Sequence, residues 1–303
     1  MDLSPTSEPR ALTPHARLDR IEVIVNPKSG SVSATAAEEL AAVLDELGLK
    51  ANIHIFEGGR LTSLLDQVFG AEPDLVIVLA GDGTVRAVAA RAGPTGPLIA
   101  PLPGGTMNML PKAVYGVTDW KEALGKALSR GCEQPIPGGR VGEEPFYCAA
   151  ILGSPALWAP AREAIREGKA RLAWLYGRRA LKRAFSGRVR FRLDRGPLRR
   201  AEALVLITPL ISTAVEKADG LEAAVMTPAR AGEAFRMAAR ALFADWRSDP
   251  AVATQVARRV HAWAGSRIPA ILDGETIRLD DFAEVTFEPV AFRALAPPPE
   301  PTV

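Results

Sequence analysis

The sequence predicts an α/β fold with an N-terminal doubly wound parallel sheet and a second region built from short strands. Short apolar segments alternate with amphipathic helical segments from Ile21 to Ser129. Such alternation requires right-handed crossover connections, which produce a parallel sheet with helices on both faces. Glycine-rich turns follow several of these strands, at the edge where such sheets bind ligands. After Gly131 the segments become short and are separated by turn residues, which is typical of antiparallel strands.

The composition indicates a soluble protein of two domains. The chain has 303 residues, 48% of them hydrophobic, which exceeds the usual size of one domain. No apolar run approaches the roughly 20 residues that span a bilayer, and the N-terminus lacks the pattern of a signal peptide. Cys132 and Cys148 lack metal-ligand spacing, and the three scattered histidines are expected to be surface or hydrogen-bonded residues. We therefore expect a cytoplasmic location, with a peripheral position at the inner face of the membrane as an option.

The predicted domain limits follow the change in pattern. We expect a disordered lead at 1–18, an α/β nucleotide-binding domain at 19–133, a substrate domain at 134–284, and a C-terminal segment at 285–303 that could return to the first domain.

The first half of the chain places a polar turn after each of three apolar strands. The strand Ile21–Val25 is followed by Asn26-Pro27-Lys28-Ser29-Gly30. The amides and the lysine of this turn suit a phosphate group, although Asn-Pro also starts ordinary turns. A helix over 34–47, a strand over 50–56 and a helix over 61–69 are predicted next.

The second turn, Gly81-Asp82-Gly83-Thr84, follows an apolar run that ends at Ala80 and precedes helical residues from Val85. Two glycines allow the backbone to bend sharply and to approach a ligand without contact from Cβ atoms. The N-terminus of the following helix favours an anion. For Gly-x-Gly alone, an ordinary strand-to-helix connection is an equal alternative.

The third turn, Gly104-Gly105-Thr106-Met107-Asn108, follows a short strand at 97–100. Two adjacent parallel strands would then present two glycine turns to one ligand, and the edge they share suits a nucleotide. The chain contains neither the glycine-lysine pattern of a P-loop nor the Gly-x-Gly-x-x-Gly pattern of a dinucleotide fold.

From residue 119 onward the sequence predicts mostly strands, with three helices. A helix is predicted over 119–129, and short strands over 135–142 and 145–153. A long basic helix carrying aromatic residues follows at about 160–185. Further strands are predicted at 189–193, 203–207 and 255–263, a helix at 229–246, and a hairpin over 268–278 with Asp273-Gly274 at its turn.

The order of the three turns resembles the catalytic-domain signature of the diacylglycerol kinase and sphingosine kinase family, above all its bacterial lipid kinases. It is more distantly similar to NAD kinases and phosphofructokinases. The resemblance implies an α/β nucleotide-binding domain followed by a β-sandwich domain, with the basic helix as an insertion. It also implies transfer of the γ-phosphoryl group of ATP to a lipid hydroxyl, diacylglycerol-like or sphingoid-like, with Mg²⁺ as cofactor.

The resemblance also assigns residues. The nucleotide-binding residues it implies are Asn26, Pro27, Lys28, Ser29, Gly30, Gly81, Asp82, Gly83, Thr84, Gly104, Gly105, Thr106 and Asn108. Asp273 resembles the aspartate of the family's Asp-Gly-Glu motif, which accepts the proton of the acceptor, and Asp82 is the competing catalytic residue. Asp219-Gly220 resembles the family's Asp-Gly-x-x-Asp turn, so Asp219 is the metal candidate, with a plain turn as the equal alternative.

Several residues depart from the family pattern and leave the acceptor open. Ala80 replaces a glycine, Ser154-Pro155 stands where Asp-Ala is frequent, and Thr208-Pro209 stands where asparagine is frequent. A kinase for a soluble alcohol or nucleotide, and a non-catalytic protein that binds lipid or nucleotide, therefore stay as alternatives.

Basic charge is concentrated in one block. Residues 161–200 contain 14 Lys and Arg against 3 Asp and Glu, while the whole chain has a formal net charge of +2. A solvated helix packed by its apolar stripe is one interpretation. The other is an interfacial helix that binds an anionic membrane surface. No nucleic-acid module accompanies the charge, so no nucleic-acid partner is expected. The oligomeric state is left undetermined.

Overall fold

The computed structural model describes residues 18–30, 32–56, 58–153, 189–212, 219–226 and 252–298. The chain divides into two compact units. The first unit comprises residues 1–137 and 290–303, and the second comprises residues 138–289. The predicted basic helix at 160–185 and the predicted helix at 229–246 lie outside the described residues.

The first unit alternates strands and helices along the chain. Its strands are β1 (Ile21–Val25), β2 (Ala51–Ile55), β3 (Leu75–Ala80) and β4 (Leu98–Pro103). Its helices are α1 (Ala36–Glu46), α2 (Leu61–Gly70), α3 (Asp82–Ala92), α4 (Met109–Tyr115) and α5 (Trp120–Arg130). The strands pair in parallel in the order β2-β1-β3-β4, so this part of the fold is α/β with alternating units, as predicted.

Burial explains why these segments form a parallel sheet. Every residue of β1, β3 and β4 is buried, which fits strands that are covered on both faces. β2 is the edge strand, and Ile55 at its end is exposed. The strands therefore place their carboxyl ends, and the turns that follow them, at one edge.

β4 extends farther than the sequence predicted. The strand was expected at 97–100, yet it continues through Pro101 and Pro103 and pairs with β3 along its whole length. Proline is tolerated at these positions because no hydrogen bond to a neighbouring strand is needed from its nitrogen on the side of β4 that faces away from β3. On that side β4 has a single register pair, Ile99 with Ala294.

The boundaries between the two units fall within two long strands, β5 (Cys132–Val141) and β16 (Phe282–Ala296). The last residues of β16 belong to the first unit and are held there by polar contacts. The hydroxyl of Tyr115 donates to the carbonyl of Leu295 at 2.8 Å. Arg293 forms an ion pair with Glu133 at 2.7 Å and also donates to the carbonyl of Gly96. The C-terminal strand is thus an integral part of the first unit.

The second unit consists of antiparallel strands in its described part. After β5, its strands are β6 (Glu144–Phe146), β7 (Ala149–Gly153), β8 (Val189–Leu193), β9 (Arg199–Ala201), β10 (Ala203–Ile207), β11 (Leu221–Met226), β12 (Val252–Ala257), β13 (Arg259–Trp263), β14 (Pro269–Leu272) and β15 (Glu275–Arg278), with β16 last. One sheet has the order β12-β11-β10-β7-β14-β15, and β16, β13, β8 and β9 pair side by side in another. Buried side chains from both sheets, among them Phe191, Leu206 and Val260, form one hydrophobic cluster.

The segment predicted as one strand at 255–263 is two strands. β12 pairs with β11, whereas β13 pairs with β8 and β16, so the chain leaves one sheet for the other between Ala257 and Arg259. Asp194 stabilises this crossing, because its carboxylate accepts hydrogen bonds from the N–H groups of Arg258 and Arg259 at 3.0 and 2.9 Å. The contact joins residues far apart in the chain and has no local sequence signal.

Candidate active site

Three turns at the carboxyl edge of the parallel sheet lie in direct contact. The hydroxyl oxygen of Ser29 accepts a hydrogen bond from the N–H of Gly81 at 3.0 Å. A Cβ atom at Gly105 would lie 2.8 Å from Cα of Gly81, and one at Gly30 would lie 2.7 Å from Oγ1 of Thr106. Glycine is required at these positions because the facing atoms are backbone or closely packed. The structure thus brings together the three turns that the sequence singled out.

The first turn is closed by its own asparagine. Oδ1 of Asn26 accepts from the N–H of Lys28, and the carbonyl of Asn26 accepts from the N–H of Ser29, each at 3.0 Å. Pro27 lies inside this turn, where its fixed φ favours the bend. Asn26 also donates to the carbonyl of Leu79 at the end of β3, which ties the turn to the sheet. Lys28 is exposed at the turn.

The second turn is shorter than the sequence indicated, because α3 begins at Asp82. Gly81 is the N-cap residue, and its carbonyl accepts from the N–H groups of Thr84 and Val85. Gly83 and Thr84 therefore belong to the first turn of the helix, and both are partly exposed. The first N–H groups of an α-helix have no carbonyl partner within the helix, so this end favours an anionic ligand.

Asp82 connects the second turn to the third. Its carboxylate accepts hydrogen bonds from the N–H of Asn108 at 2.9 Å and from the N–H of Met109 at 2.7 Å, so it serves as the anion at the start of α4. Burial raises the pKa of the Asp82 carboxyl above its ordinary value, although the backbone hydrogen bonds act in the opposite direction. Asp82 therefore positions the third turn.

Asn108 shapes the third turn from within. It adopts a left-handed conformation with φ of 50°, and its buried side-chain amide forms two hydrogen bonds with the backbone of Gly105. Oδ1 accepts from the N–H of Gly105 at 2.6 Å, and Nδ2 donates to the carbonyl of Gly105 at 3.0 Å. Thr106 is exposed at the tip. The contacts of Asn108 with Gly105 indicate that it orders the turn that a ligand would meet.

The close approach of the turns also explains why a small residue, Ala80, and a glycine, Gly104, face each other. A Cβ atom at Gly104 would lie 2.7 Å from the backbone nitrogen of Ala80. Ala80 itself is buried at the end of β3 and pairs with Pro103. A small side chain is therefore accommodated at the position where the family has glycine.

Asp273 lies in the second unit and organises a different segment. With Gly274 it forms the two-residue turn between β14 and β15, and both residues have positive φ, 47° and 90°, as a type I′ hairpin turn requires. The buried carboxylate accepts from three successive N–H groups, those of Tyr147 at 2.7 Å, Cys148 at 2.8 Å and Ala149 at 2.9 Å. Sequence reasoning gave no sign of these three contacts.

Thr208 supports the same segment from the other side. Its hydroxyl donates to the carbonyl of Tyr147 at 2.7 Å, and its N–H donates to the carbonyl of Cys148 at 2.9 Å. Thr208 is completely buried. Thr208, one of the departures from the family pattern, therefore has a structural role. The other departure, Ser154-Pro155, lies outside the described residues.

Asp219 does not form a metal site with the residues around it. Its exposed carboxylate is paired with Arg258 at 3.0 Å. Glu222, three residues on, is buried, and its Oε2 accepts from the hydroxyl of Ser212 at 2.5 Å. In the described part of the chain no three His, Cys, Asp or Glu residues are grouped as metal ligands would be. Among the described residues, the pairing of Asp219 with Arg258 does not favour a metal ion at this carboxylate.

Comparison with known proteins agrees with this geometry. Residues 20–141 match the family model described as "Diacylglycerol kinase catalytic domain". A structure described as diacylglycerol kinase from Bacillus anthracis str. Sterne has 16% sequence identity and a TM-score of 0.66, and the match covers 94% of this chain and 99% of that one. A "putative diacylglycerol kinase" from the same strain has 19% identity and a TM-score of 0.69, with the same coverage. At these identities the structural matches show a shared fold.

The family match covers β1 to β5, and so it includes all three turns that meet at the edge of the parallel sheet. Within the described ranges, no helix has both the length and the hydropathy needed to cross a bilayer. The domain at residues 20–141 is therefore similar to the catalytic domain of the diacylglycerol kinase family, a family of kinases.

Proposed function

We propose that the protein is an ATP-dependent lipid kinase, which transfers the γ-phosphoryl group of ATP to the hydroxyl of a diacylglycerol-like or sphingoid-like lipid. The observation that carries the proposal is the close contact among the three turns around the start of α3, inside a domain that matches a kinase family. The solved structures that share the fold are described as diacylglycerol kinases, which supports a lipid acceptor.

The nucleotide site would consist mainly of backbone. Phosphoryl transfer depends on positioning and on neutralisation of charge more than on reactive side chains. The N–H groups at the start of α3, from Gly81 to Thr84, would bind the phosphates of ATP, which enters with its Mg²⁺. Thr106 and Lys28, both exposed at neighbouring turns, would complete the contact. Asp82 and Asn108 would act by holding these turns in place.

The transfer step requires a proton acceptor. The acceptor hydroxyl forms a bond to the γ-phosphorus, the bond from that phosphorus to the β,γ-bridging oxygen breaks, and ADP leaves with the electron pair. The hydroxyl proton passes to a carboxylate, for which we propose Asp273, with Asp82 as the alternative. The α/β unit would thus bind ATP, and the antiparallel unit, which we propose to be a β-sandwich, would bind the acceptor.

A test of the nucleotide site uses one glycine in a helix and a matched control. Gly83→Ala is compatible with the helical position and should not lower the unfolding temperature, because alanine favours helices by about 1 kcal/mol over glycine. Its methyl group would, however, obstruct the close approach of phosphate, so ATP affinity should fall at least tenfold. Gly125→Ala in α5, where a Cβ atom meets nothing within 4 Å, makes the same chemical change away from the site.

The outcomes separate the hypotheses. Calorimetry with ATP should show weaker binding for Gly83→Ala and unchanged binding for Gly125→Ala. Equal affinity of the two variants would contradict the assignment of the ATP site to this turn. ATP consumption with a mixed lipid extract, followed by identification of the phosphorylated product, tests the reaction. Consumption only with soluble alcohols would favour the second alternative, and ATP binding without turnover on any acceptor would favour a non-catalytic protein.

A further inference from the structure

One face of the second unit combines arginines with exposed apolar side chains. In β8 the side chains alternate, so that Val189, Phe191 and Leu193 are buried while Arg190 and Arg192 are exposed. This is the pattern of a strand with one face in the core and one face in solvent. The exposed side of β8 therefore carries only positive charge.

Strand register extends this face across four strands. Arg190 pairs with Arg200 of β9 on one side and with Trp263 of β13 on the other. Trp263 pairs in turn with Phe282 of β16. Directly opposed residues of antiparallel strands point to the same side of a sheet. One row across the sheet therefore runs from two arginines to two aromatic residues.

The apolar part of this face is a compact patch. The rings of His261, Trp263 and Phe282 lie 5.6 to 6.1 Å apart between centroids, and 45% of Phe282 is exposed. Leu198, the residue before β9 in the β8–β9 hairpin, is 52% exposed and lines one surface depression together with Arg190, Arg192 and Trp263. An aliphatic side chain held at an exposed turn beside aromatic rings is typical of an interfacial contact.

The charge of the face is not neutralised internally. Of the arginines around it, Arg258 is paired with Asp219 and Arg259 with Glu284. Among the described residues, no ion pair or side-chain hydrogen bond involves the other four, which are Arg190, Arg192, Arg195 and Arg200. A second depression, of about 620 Å³, is lined by Arg192, Arg195, Arg258, Arg259 and His261 together with Asp194, so positive charge predominates around a space large enough for headgroups.

We propose that this face, formed by the outer sides of β9, β8, β13 and β16, docks the protein on an anionic lipid bilayer. Leu198, Trp263 and Phe282 would enter the headgroup region, and Arg190, Arg192, Arg195 and Arg200 would contact lipid phosphates around them. The proposal deepens the proposed lipid kinase function, since it supplies the surface through which a lipid acceptor would be reached. It differs from an interaction through the segment at 160–185, because it needs only residues of these strands and of the β8–β9 hairpin. A single-stranded nucleic acid also binds basic faces with aromatic rings, but it would gain little from an exposed aliphatic residue beside β9.

The test measures binding of the full chain to vesicles, without requiring catalysis. Vesicles of equal parts phosphatidylglycerol and phosphatidylcholine should sediment the wild-type protein, and pure phosphatidylcholine vesicles should not. The double variant Arg190→Gln, Arg192→Gln should bind the anionic vesicles about thirtyfold more weakly, since each arginine near such a surface contributes about 1 kcal/mol. A control double variant, Arg60→Gln with Arg278→Gln, makes the same change in net charge at two other exposed arginines and should bind as wild type.

Two further measurements separate the parts of the contact. Raising the salt concentration should weaken vesicle binding of the wild type more than that of the Arg190/Arg192 variant, because the wild type has two more charges for salt to screen. Leu198→Ser with Phe282→Ser should weaken binding at every salt concentration. Thermal unfolding of each variant confirms that it is folded, and both pairs are exposed, so little loss is expected.

The proposal is overturned if the Arg190/Arg192 variant and the control bind anionic vesicles equally, if neutral and anionic vesicles bind equally well, or if the wild type binds an oligonucleotide and no vesicle. Failure of the kinase proposal would appear separately, as absence of ATP consumption on detergent-dispersed lipid by a protein that still binds vesicles. Failure of the docking proposal alone would appear as ATP consumption on dispersed lipid with vesicle binding unchanged in the Arg190/Arg192 variant.

Discussion

Replacing Asp273 by asparagine should destabilise the protein even though asparagine suits the turn. Asn-Gly forms type I′ turns as readily as Asp-Gly, so the backbone of the hairpin does not oppose the change. The cost arises at the carboxylate, whose two oxygens accept three N–H groups: Oδ2 accepts from Tyr147, and Oδ1 accepts from Cys148 and Ala149. In asparagine one oxygen becomes an NH₂ group, which would face a buried N–H donor.

The magnitude follows from these three bonds. A hydrogen bond to a charged group contributes about 1.5–3 kcal/mol, and roughly half of that remains when the acceptor is neutral. Asp273→Asn loses one bond and weakens two, so the free energy of unfolding should fall by about 3–6 kcal/mol. Asp194→Asn is the matched control, because Asp194 also has positive φ and accepts two N–H groups, but through Oδ1 alone and at an exposed turn. It should cost about 1 kcal/mol, since Oδ1 is kept.

Urea unfolding followed by circular dichroism measures both variants against the wild type. Equal losses for Asp273→Asn and Asp194→Asn would refute the reasoning from the carboxylate contacts. The same variant then tests the base under conditions where it is folded. Loss of the proton acceptor predicts a fall in kcat of about 10²–10⁴-fold with ATP affinity retained, whereas near wild-type kcat would leave Asp273 a structural role and shift the base to Asp82.

Three further changes test the contacts around the site. Gly105→Ala places a Cβ atom 2.8 Å from Cα of Gly81, so it should lower the free energy of unfolding by about 1–3 kcal/mol and weaken ATP binding; an unchanged unfolding temperature would contradict the close packing. Asp82→Asn removes a carboxyl whose pKa is raised by burial. A raised pKa means that the folded protein holds this proton more tightly than the unfolded chain, so the carboxyl contributes stability below its ordinary pKa of about 4 and loses that contribution as the pH rises through the raised pKa. Urea titrations at successive pH values should therefore show the stability of the wild type falling relative to Asp82→Asn over that interval. A rise in relative stability would refute the direction of the shift. Thr208→Val leaves the buried carbonyl of Tyr147 without its hydroxyl donor and should cost about 1–3 kcal/mol in thermal unfolding, and a stabilised variant would argue against that bond.

The parallel sheet and its three turns could be predicted from the sequence because their signals are local. Strands such as β3 are continuous apolar runs, and glycines follow them directly. The start of α3 was placed too late, because Gly83 and Thr84 favour helices weakly and the sequence does not show that the carbonyl of Gly81 caps the helix. Pro101 and Pro103 were kept out of β4, since only the pairing of neighbouring strands reveals that their missing N–H groups are not needed.

The polar contacts that organise the site could not be predicted, because they join distant residues. Asp273 and Cys148 are 125 positions apart, and nothing near Asp273 indicates its three amide partners. Glu22 is buried in β1, where it contacts Asn52 and His54 of β2 through the register of two parallel strands. His54 was expected to be a surface or hydrogen-bonded residue, and it is hydrogen-bonded. The strand predicted at 189–193 is confirmed as β8, which carries Arg190 and Arg192 of the basic block.

The return of β16 to the first unit means that this unit is not continuous in the sequence. The neighbour of β4, at Ala294, leaves the ribosome about 150 residues after the family match at residues 20–141 has ended. Until then the nascent domain has an uncovered edge at β4, and Tyr115 lacks the carbonyl of Leu295. A fragment ending at residue 141 should therefore be prone to aggregate through that edge, and addition of residues 290–298 as a separate peptide should restore its solubility.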